Sequence, residues 1–310
     1  MNMITDFFAL LIPAMVPFVL AAQGTIISGR AGLFNVSQEG LMVLGASVGF
    51  LVSYLAGSNT LGLLGALAVG GLFGLVFAYT TTMLRLDQFV VGLALYFASL
   101  GLGSLLYRAV VGVTLSPPLI PTLKDYPIPG LSSIPVLGPA LFSHDLVVYF
   151  AFLLSFGIYW FMYKTSAGMR FRAVGENPKS ADSAGIPVLG TRVWAGVVGA
   201  SLMAMAGAYL PMVYTGTFTE GMVAGRGWLV IALAFLGGWR PHLVVAGAAF
   251  FAGMEVLALQ AQVTGVGIPH QFVLMLPFVA TLVVMIFAFR WARQPASLGQ
   301  NYDRESRLSG

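Results

Sequence analysis

The chain has 310 residues, of which 58% are hydrophobic and only 8% are charged, and its mean hydropathy is +0.89. A soluble domain of this length carries about 25% charged residues, so the sequence predicts an all-α polytopic membrane protein. The 15 basic residues are scattered between apolar runs, which indicates a topological bias rather than nucleic-acid binding. The absence of cysteine excludes disulfides, thiolate metal sites and cysteine nucleophiles.

Uncharged runs predict about nine membrane spans, within a range of eight to ten, because a helix needs about 20 apolar residues to cross a bilayer. The first run is too long for a cleavable signal and lacks a basic region before it, so it is expected to remain. The predicted spans are 5–27, 34–56, 61–83, 88–107, 146–163, 190–213, a short segment 226–239, 242–262 and 271–290. They form one transmembrane domain, 1–292, and the tail 293–310 is predicted to be cytoplasmic and disordered.

The positions of lysine and arginine predict an N-terminus outside and a C-terminus in the cytoplasm. With this orientation, twelve basic residues lie inside, and only Arg108, Lys124 and Arg226 lie outside. The outer loop 108–145 holds seven of the 16 prolines and is predicted to be a semi-rigid external cap. The second hydrophilic loop, 164–189, lies inside.

Small residues recur at a spacing of four on two predicted spans. They are Gly45 and Gly49 on the second span, and Ala66, Gly70 and Gly74 on the third. This spacing predicts close helix packing, because small side chains let helix backbones approach in a bilayer. The alternative is that some of these glycines line a pathway.

Polar and aromatic residues in or beside the spans are candidates for a substrate pathway, because ionisable groups in a membrane are costly and usually functional. The candidates are Phe34, Asn35, Gln38, Glu39, Gln88, Glu220, Arg226, Trp228 and Glu255. Asn35 and Glu39 have a structural alternative as a helix N-cap and a first-turn carboxylate. Glu255 needs a partner or a wet cavity, unless it is a protonated packing residue.

The stretch "EGMVAGRGW" (220–228) predicts a broken helix. Irregular backbone at membrane depth is tolerated only where it is buried in protein or lines a cavity, and many transporters bind substrate at such breaks. "QEGLMV" enters the second span from the inside, and "TEGMVA" precedes the seventh segment from the outside. This short match suggests an inverted repeat of spans 2–5 and 6–9.

The inner loop contains signals for a short helix. Asn177 is a predicted N-cap, Pro178 suits the first helical position, and Gly185 is a natural stop before Pro187. A helix of about seven residues is not stable alone in water, so it is expected to dock on another surface. The alternative is an ordinary loop between spans.

No catalytic signature is present in the sequence. It lacks GxxxxGK[ST], HExxH and GxSxG, and its three histidines share no metal-ligand spacing. We therefore predict that the chain is not an enzyme.

Four stretches resemble the permease subunits of ATP-binding-cassette importers in the ribose and branched-chain amino-acid permease superfamily, particularly nucleoside-type permeases that work with basic-membrane-protein-like lipoproteins. They are "SGRAGLFNVSQEGLMVLGA" (28–46), "DQFVVGLAL" (87–95), "GMRFRAVGENPKSADSAGI" (168–186) and "TEGMVAGRGWLVIALAFLGGWRP" (219–241). The short N-terminus resembles the smaller of the two permeases in such systems. Val36, Ser37 and Gln38 depart from the NIGxEG pattern more usual in the family.

The resemblance implies a multi-pass permease of the plasma (inner) membrane that imports nucleosides by alternating access. Its implied partners are ATPase subunits, a larger permease paralogue or a second copy of the chain, and an extracytoplasmic substrate-binding lipoprotein. The chain itself would bind no cofactor, since the ATPase uses the ATP. The residues implied in coupling to the ATPase are Arg170, Arg172, Gly175, Glu176, Asn177, Pro178, Asp182 and Gly185.

Other substrates stay open at this point. They are a monosaccharide, a flavin-like molecule or a branched-chain amino acid, because a few pocket residues and the lipoprotein determine the choice. A different class of function is an ion-coupled secondary transporter, driven by protons through Glu39, Glu220 or Glu255.

Overall fold

A computed structural model describes residues 3–263, except positions 113, 115, 133, 135 and 136, together with 275, 278–283, 286 and 294–303. The described part is predominantly helical. Its helices are α1 Met3–Arg30, α2 Gln38–Ala56, α3 Asn59–Thr82, α4 Gln88–Val111, α5 Leu137–Leu141, α6 Leu146–Lys164, α7 Ser166–Glu176, α8 Pro178–Ser183, α9 Val188–Leu210, α10 Arg226–Leu236 and α11 Pro241–Val263. Strands β1 Tyr126–Pro127 and β2 Ser143–His144 pair antiparallel.

Within the described residues, seven helices are long and apolar enough to cross a membrane: α1, α2, α3, α4, α6, α9 and α11. They match the predicted spans one to six and eight, so the prediction of a polytopic all-α protein is confirmed. The predicted seventh segment is α10, whose 11 residues extend only about 16 Å. The predicted ninth span, 271–290, lies largely outside the described residues.

Helix α9 lies at the centre of the bundle and packs against α1, α2 and α3. A Cβ atom added to Gly74 would lie 2.5 Å from the Gly196 oxygen, and one added to Gly45 would lie 2.6 Å from the Ala204 Cα. Both glycines therefore sit at backbone-to-backbone contacts with α9, as the small-residue spacing predicted.

The loop predicted as an external cap contains α5 and the β1–β2 pair, and it contacts the ends of the transmembrane helices. The Ile120 amide donates to the Gly216 oxygen at 2.8 Å, and the Asn59 side chain donates to the Pro121 oxygen at 2.8 Å. At the end of the loop, Asp145 caps α6 and accepts a hydrogen bond from the Tyr209 hydroxyl at 2.8 Å. These bonds connect the loop to α3, α6 and α9.

The hydrophilic segment 164–189 holds two helices, whereas a single short helix was predicted there. The predicted helix is α8, and α7 precedes it. The Thr165 hydroxyl caps α7 by accepting from the Gly168 amide at 3.0 Å. Asn177 ends α7 and also caps α8, so one residue joins the two helices. The single-helix prediction missed α7 because its low apolar content resembles that of a loop.

The prediction of a disordered tail is wrong for residues 294–303, which pack on the bundle beside α7, α8 and α9. Tyr302 is 7% exposed and Ser297 is 5% exposed. The Ser297 amide donates to the Gly175 oxygen at 3.0 Å, and the Gly299 amide donates to the Gly32 oxygen at 3.1 Å. Buried side chains and backbone hydrogen bonds thus offset the loss of chain entropy in this short segment.

Candidate functional site

Helical structure is interrupted between α9 and α10, in the region where the sequence 220–228 predicted a broken helix. A π-helical turn, Pro211–Thr215, follows α9 and leads into the irregular segment 216–225, which we call the break. Ala224 and Gly225 have φ angles of +52° and +82°. A positive φ is strained for alanine and easy for glycine. Because π-turns and strained backbone often occur at functional sites, the break is the starting point for the site.

Glu39, at the start of α2, holds the N-terminus of α10. Its Oε1 accepts from the Gly225 amide at 2.9 Å, and its Oε2 accepts from the Gly227 amide at 2.7 Å. A carboxylate at a helix N-terminus satisfies unpaired amides and interacts favourably with the helix dipole. Glu39 lies in the first turn of α2, as one of the two interpretations predicted, but its carboxylate acts on a different helix, α10.

Gly227 allows this contact, because its backbone lies directly on α2. A Cβ atom there would be 2.5 Å from the Glu39 Cα and 2.9 Å from the Gln38 carbonyl carbon. Gln38 is only 1% exposed, and neither polar atom of its side chain has a partner among the described residues.

Glu255 of α11 has both the partner and the cavity that the sequence required. Its Oε2 lies 3.0 Å from Arg226 Nη2, and the two side chains are 23% and 19% exposed. Arg226 also donates to the Met222 oxygen at 3.0 Å. The pair is therefore only partly shielded, and α11 is joined to the first residue of α10.

The Arg226–Glu255 pair lines a cavity of about 450 Å³. Its other walls include Leu10, Tyr214, Leu229, Leu259, Gln262 and Phe278. An apolar cavity of this size with a few polar groups has the character of a small-molecule site. Tyr214, in the π-turn, was not predicted, because its position depends on the irregular backbone.

Trp228 packs against α4 rather than into this cavity. Its ring lies edge-to-face with the Tyr96 ring at 5.4 Å, and Tyr96 contacts Phe97 in the same way at 4.9 Å. Trp228 remains 41% exposed on the isolated chain. The result is an aromatic cluster between α10 and α4, on the far side of α10's first turn from Arg226.

The segment 31–37, between α1 and α2, positions two more candidates. The Phe34 amide donates to Gln88 Oε1 at 2.7 Å, and the Phe34 ring lies 6.4 Å from the Phe235 ring. Asn35 Oδ1 accepts from the Ser37 amide at 2.9 Å. The N-cap position of α2 is Ser37, so the interpretation of Asn35 as N-cap is wrong, and Asn35 does not share a helix face with Glu39.

Glu220 lies apart from the other candidates. It forms an exposed ion pair with Arg108 at 2.9 Å, and both side chains are more than half exposed. This places Glu220 beside the end of α4, where the 108–145 loop begins.

Several predicted coupling residues have intramolecular roles. Arg172 donates to the Met162 oxygen at 2.9 Å and lies 4.4 Å over the Tyr163 ring. Glu176 pairs with Arg30 at 3.3 Å. Gly175 lies against the backbone of Arg30, where a side chain has no room.

The remaining coupling candidates lie on or around α8. Asn177 Oδ1 caps α8 by accepting from the Ser180 amide at 3.0 Å, and Pro178 occupies the first turn. Gly185 follows with a φ of +78°. Asp182 lies on α8 at the rim of a groove of about 270 Å³, and Arg170 is exposed on α7. The local signals for α8 are therefore confirmed, and its outer face is available to a partner.

Within the described residues, no group of three His, Cys, Asp or Glu side chains is placed to hold a metal ion. Sequence reasoning missed Arg192, which is fully buried and donates to the Gln300 oxygen at 2.9 Å. Arg192 and Gln300 are 108 positions apart in the sequence, and no local sequence signal indicates that they meet.

Comparison with known proteins places this arrangement in a family. The family described as "Branched-chain amino acid transport system / permease component" matches residues 7–289. The guanosine ABC transporter permease NupQ of Bacillus subtilis is 30% identical, over 98% of this chain and 99% of its own. The nucleoside ABC transporter permease NupC of Lactococcus lactis is 31% identical over 92% and 93% of the two chains. The putative glucose ABC transporter permease TsgC13 of Haloferax volcanii is 30% identical over 95% and 96%.

The match covers nearly the whole chain and includes the break, α7–α8 and the seven long apolar helices. Members of this family are membrane transport components rather than enzymes. The chain belongs to the ABC transporter permease family.

Proposed function

We propose that this chain forms the translocation pathway of an ABC importer for nucleosides. The observation that carries the proposal is the cavity beside the break, where Arg226 and Glu255 face apolar and aromatic walls. A nucleoside has a flat base that stacks on aromatic rings such as Tyr214, and polar edges that pair with charged or amide groups. The names of NupQ and NupC support the same substrate class.

The pathway proposed here runs from this cavity past the first turn of α10 towards the cytoplasm. The Glu39 carboxylate holds that turn, with the buried Gln38 beside it and the Trp228–Tyr96 cluster on the α4 side. Phe34 and Gln88 lie nearer the proposed cytoplasmic side, where the segment between α1 and α2 meets α4 and α10. In this assignment Glu39 and Phe34 shape the inner end of the pathway, while Arg226 and Glu255 contact substrate.

The proposed topology has nine spans, an outer N-terminus and a cytoplasmic C-terminus, in the plasma (inner) membrane. Two contacts support counting the seventh segment as a crossing. Gly216, at the start of the break, bonds to Ile120 of the external loop. Trp239, after α10, accepts a hydrogen bond from Arg30 Nε at 2.8 Å, at the inner end of α1. In this proposal the break and α10 together cross from the outer to the inner side, and spans 2–5 and 6–9 form an inverted repeat.

The partners proposed are an ATPase dimer at α7–α8, a substrate-binding lipoprotein at the 108–145 loop, and a larger permease paralogue or a second copy. The outer surfaces of α3 and α4 support a permease partner or lipid contact, since Leu72, Phe97 and Leu105 are more than half exposed there. The ATPase supplies the ATP chemistry.

Reconstitution of the complete complex tests the proposal. The chain is co-expressed with its neighbouring ATPase, permease and lipoprotein genes, and uptake of labelled guanosine, glucose and riboflavin into proteoliposomes is compared. We expect ATP-dependent guanosine uptake that excess glucose does not inhibit. Glucose uptake in place of guanosine would overturn the substrate assignment. Uptake by this chain alone, abolished by an uncoupler, would support an ion-coupled transporter instead.

A further inference from the structure

The C-terminal residues 294–303, which we call the strap, contact both the helices assigned to the ATPase and the inner end of the proposed pathway. The strap meets α7 at Gly175, whose oxygen accepts from the Ser297 amide at 3.0 Å and from the Ser297 hydroxyl at 2.6 Å. The Ala296 amide adds a bond to Glu176 Oε2 at 3.3 Å. The first half of the strap is thus fixed to the end of α7.

A small apolar cluster attaches the strap to α8 and α9. Tyr302 packs there with Val174, Ala181 and Val188, which come from α7, α8 and α9 and are each at most 3% exposed. This cluster is separate from the main core of the bundle. Tyr302 is therefore an anchor at the place where the α7–α8 unit meets α9.

The other face of the strap contacts the inner ends of α3 and α4. Asn301 Nδ2 donates to the Arg85 oxygen at 2.6 Å, and Asp303 pairs with the Arg85 side chain at 3.0 Å. The Gln300 oxygen accepts from Gln88 Nε2 at 3.4 Å. These bonds reach the turn between the third and fourth spans.

Gln88 continues the connection into the proposed pathway, because its Oε1 accepts from the Phe34 amide at 2.7 Å. The strap also reaches this segment directly, through the bond from Gly299 to Gly32 at 3.1 Å. From Phe34 the chain enters α2 and reaches Glu39 after five residues. A continuous series of contacts therefore links α7 to the carboxylate that holds α10.

Arg192 of α9 binds the strap from inside the bundle. Its guanidinium is fully buried and is bonded through Nη1 to the Gln300 oxygen, while Nε and Nη2 have no partner among the described residues. A buried cation is costly unless it is hydrogen-bonded. The strap carbonyl supplies that bond, so detachment would expose or unpair the cation.

We propose that the strap is a mechanical link of the transporter: it moves with α7–α8 and transmits their displacement to the Phe34–Gln88 contact. Coupling needs a contiguous physical connection between two sites, and the strap supplies one in addition to the direct contacts of Gly175 and Glu176 with Arg30 of α1. The inference rests on the proposed docking of the ATPase at α7–α8.

Point variants of the full chain test the link in the reconstituted complex. We expect Tyr302→Ala and Ser297→Ala to assemble with the ATPase and to retain basal ATP hydrolysis, but to import at least about fivefold less substrate per ATP hydrolysed. Gln294→Ala is the matched control, because Gln294 is an exposed strap residue, and it should behave as wild type. A fall in uptake that only follows the amount of complex recovered would reduce the strap to a stabilising segment and overturn the proposal.

A cysteine pair tests whether the strap moves with α7. The chain has no native cysteine, so a disulfide within one chain of Glu176→Cys/Ala296→Cys can form only between the two introduced thiols. The rate of its formation should be the same with and without ATP trapped in the ATPase, and the Glu176→Cys single variant controls for the lost Arg30 pair. A tenfold slower reaction in the trapped state would show that the strap separates from α7. Failure of the wild-type chain to co-purify with the ATPase would instead count against the proposed function.

Discussion

Glu39 and Gly227, 188 positions apart in the sequence, are joined by a hydrogen bond of 2.7 Å between Oε2 and the backbone amide. The bond explains how an 11-residue helix can begin inside the protein. The first amides of a helix have no partner within it, and they are costly where water is absent. Glu39 satisfies two such amides with one side chain, so the start of α10 depends on the start of α2.

Replacing Glu39 should destabilise the break. In Glu39→Ala the Gly225 and Gly227 amides lose their acceptor, at about 1–3 kcal/mol for each buried donor. Glu39→Gln keeps one acceptor oxygen and should lie between this variant and wild type. Thermal unfolding of the purified complex measures the effect. Glu220→Ala is the matched control, because its exposed pair with Arg108 contributes at most about 1 kcal/mol. Equal melting temperatures for Glu39→Ala and Glu220→Ala would contradict the capping role.

Gly227 offers an independent test of the same contact. The Cβ atom of Gly227→Ala would lie 2.5 Å from the Glu39 Cα, where main chain rather than a flexible side chain must move. We expect a loss of about 1–3 kcal/mol, as for other overpacked sites, together with impaired uptake. Gly157→Ala in α6 is the control, since its Cβ meets no atom within 4 Å. Replacing a helical glycine there should be neutral or stabilising by up to about 1 kcal/mol. Wild-type uptake by Gly227→Ala would show that α10 can move away from α2.

The sequence predicted the elements that depend on local signals. Uninterrupted apolar runs predicted seven of the helices, and the Asn177–Pro178–Gly185 pattern predicted α8, because capping and proline act within a few residues. The small residues Gly45 and Gly74 also indicated the packing on α9, since close approach of helices in a membrane has a specific spacing.

Contacts between distant segments could not be predicted in the same way. Glu39 was recognised as unusual, but neither its partner amides nor its action on α10 has a local signature. The same holds for the Arg192–Gln300 bond across 108 positions. The tail was predicted to be disordered because it is a chain terminus, whereas in residues 294–303 a few buried side chains such as Tyr302 suffice to order the segment on a preformed surface.

Variants of the Arg226–Glu255 pair can distinguish a structural role of the pair from direct contact with substrate. Arg226→Gln and Glu255→Gln each leave a partly buried charge unpaired, so both should lower the melting temperature and reduce uptake at least tenfold. The reversed pair, Arg226→Glu/Glu255→Arg, restores opposite charges and should recover part of the stability, because a glutamate at position 226 cannot donate to the Met222 oxygen. Because the reversal exchanges the positions of the two charges around a bound nucleoside, uptake should stay low. Full recovery of uptake in the reversed pair would show that the two side chains act only on each other.

A variant that lacks the N-cap of α8 tests coupling to the ATPase without disturbing the fold of the bundle. Asn177→Ala removes the acceptor for the Ser180 amide, and loss of an N-cap costs about 0.5–2 kcal/mol of local helix stability. Because α8 has only six residues, its first turn should fray while the transmembrane helices remain folded. We therefore expect normal expression and basal ATP hydrolysis, with a several-fold loss of uptake per ATP. Ser183→Ala is the control, because Ser183 is the last residue of α8 and the loss of its hydroxyl bond to the Lys179 oxygen leaves the Asn177 cap intact. If both variants transport like wild type while the complex stays assembled, the ATPase does not act through α8, and the neighbouring α7 becomes the element to test.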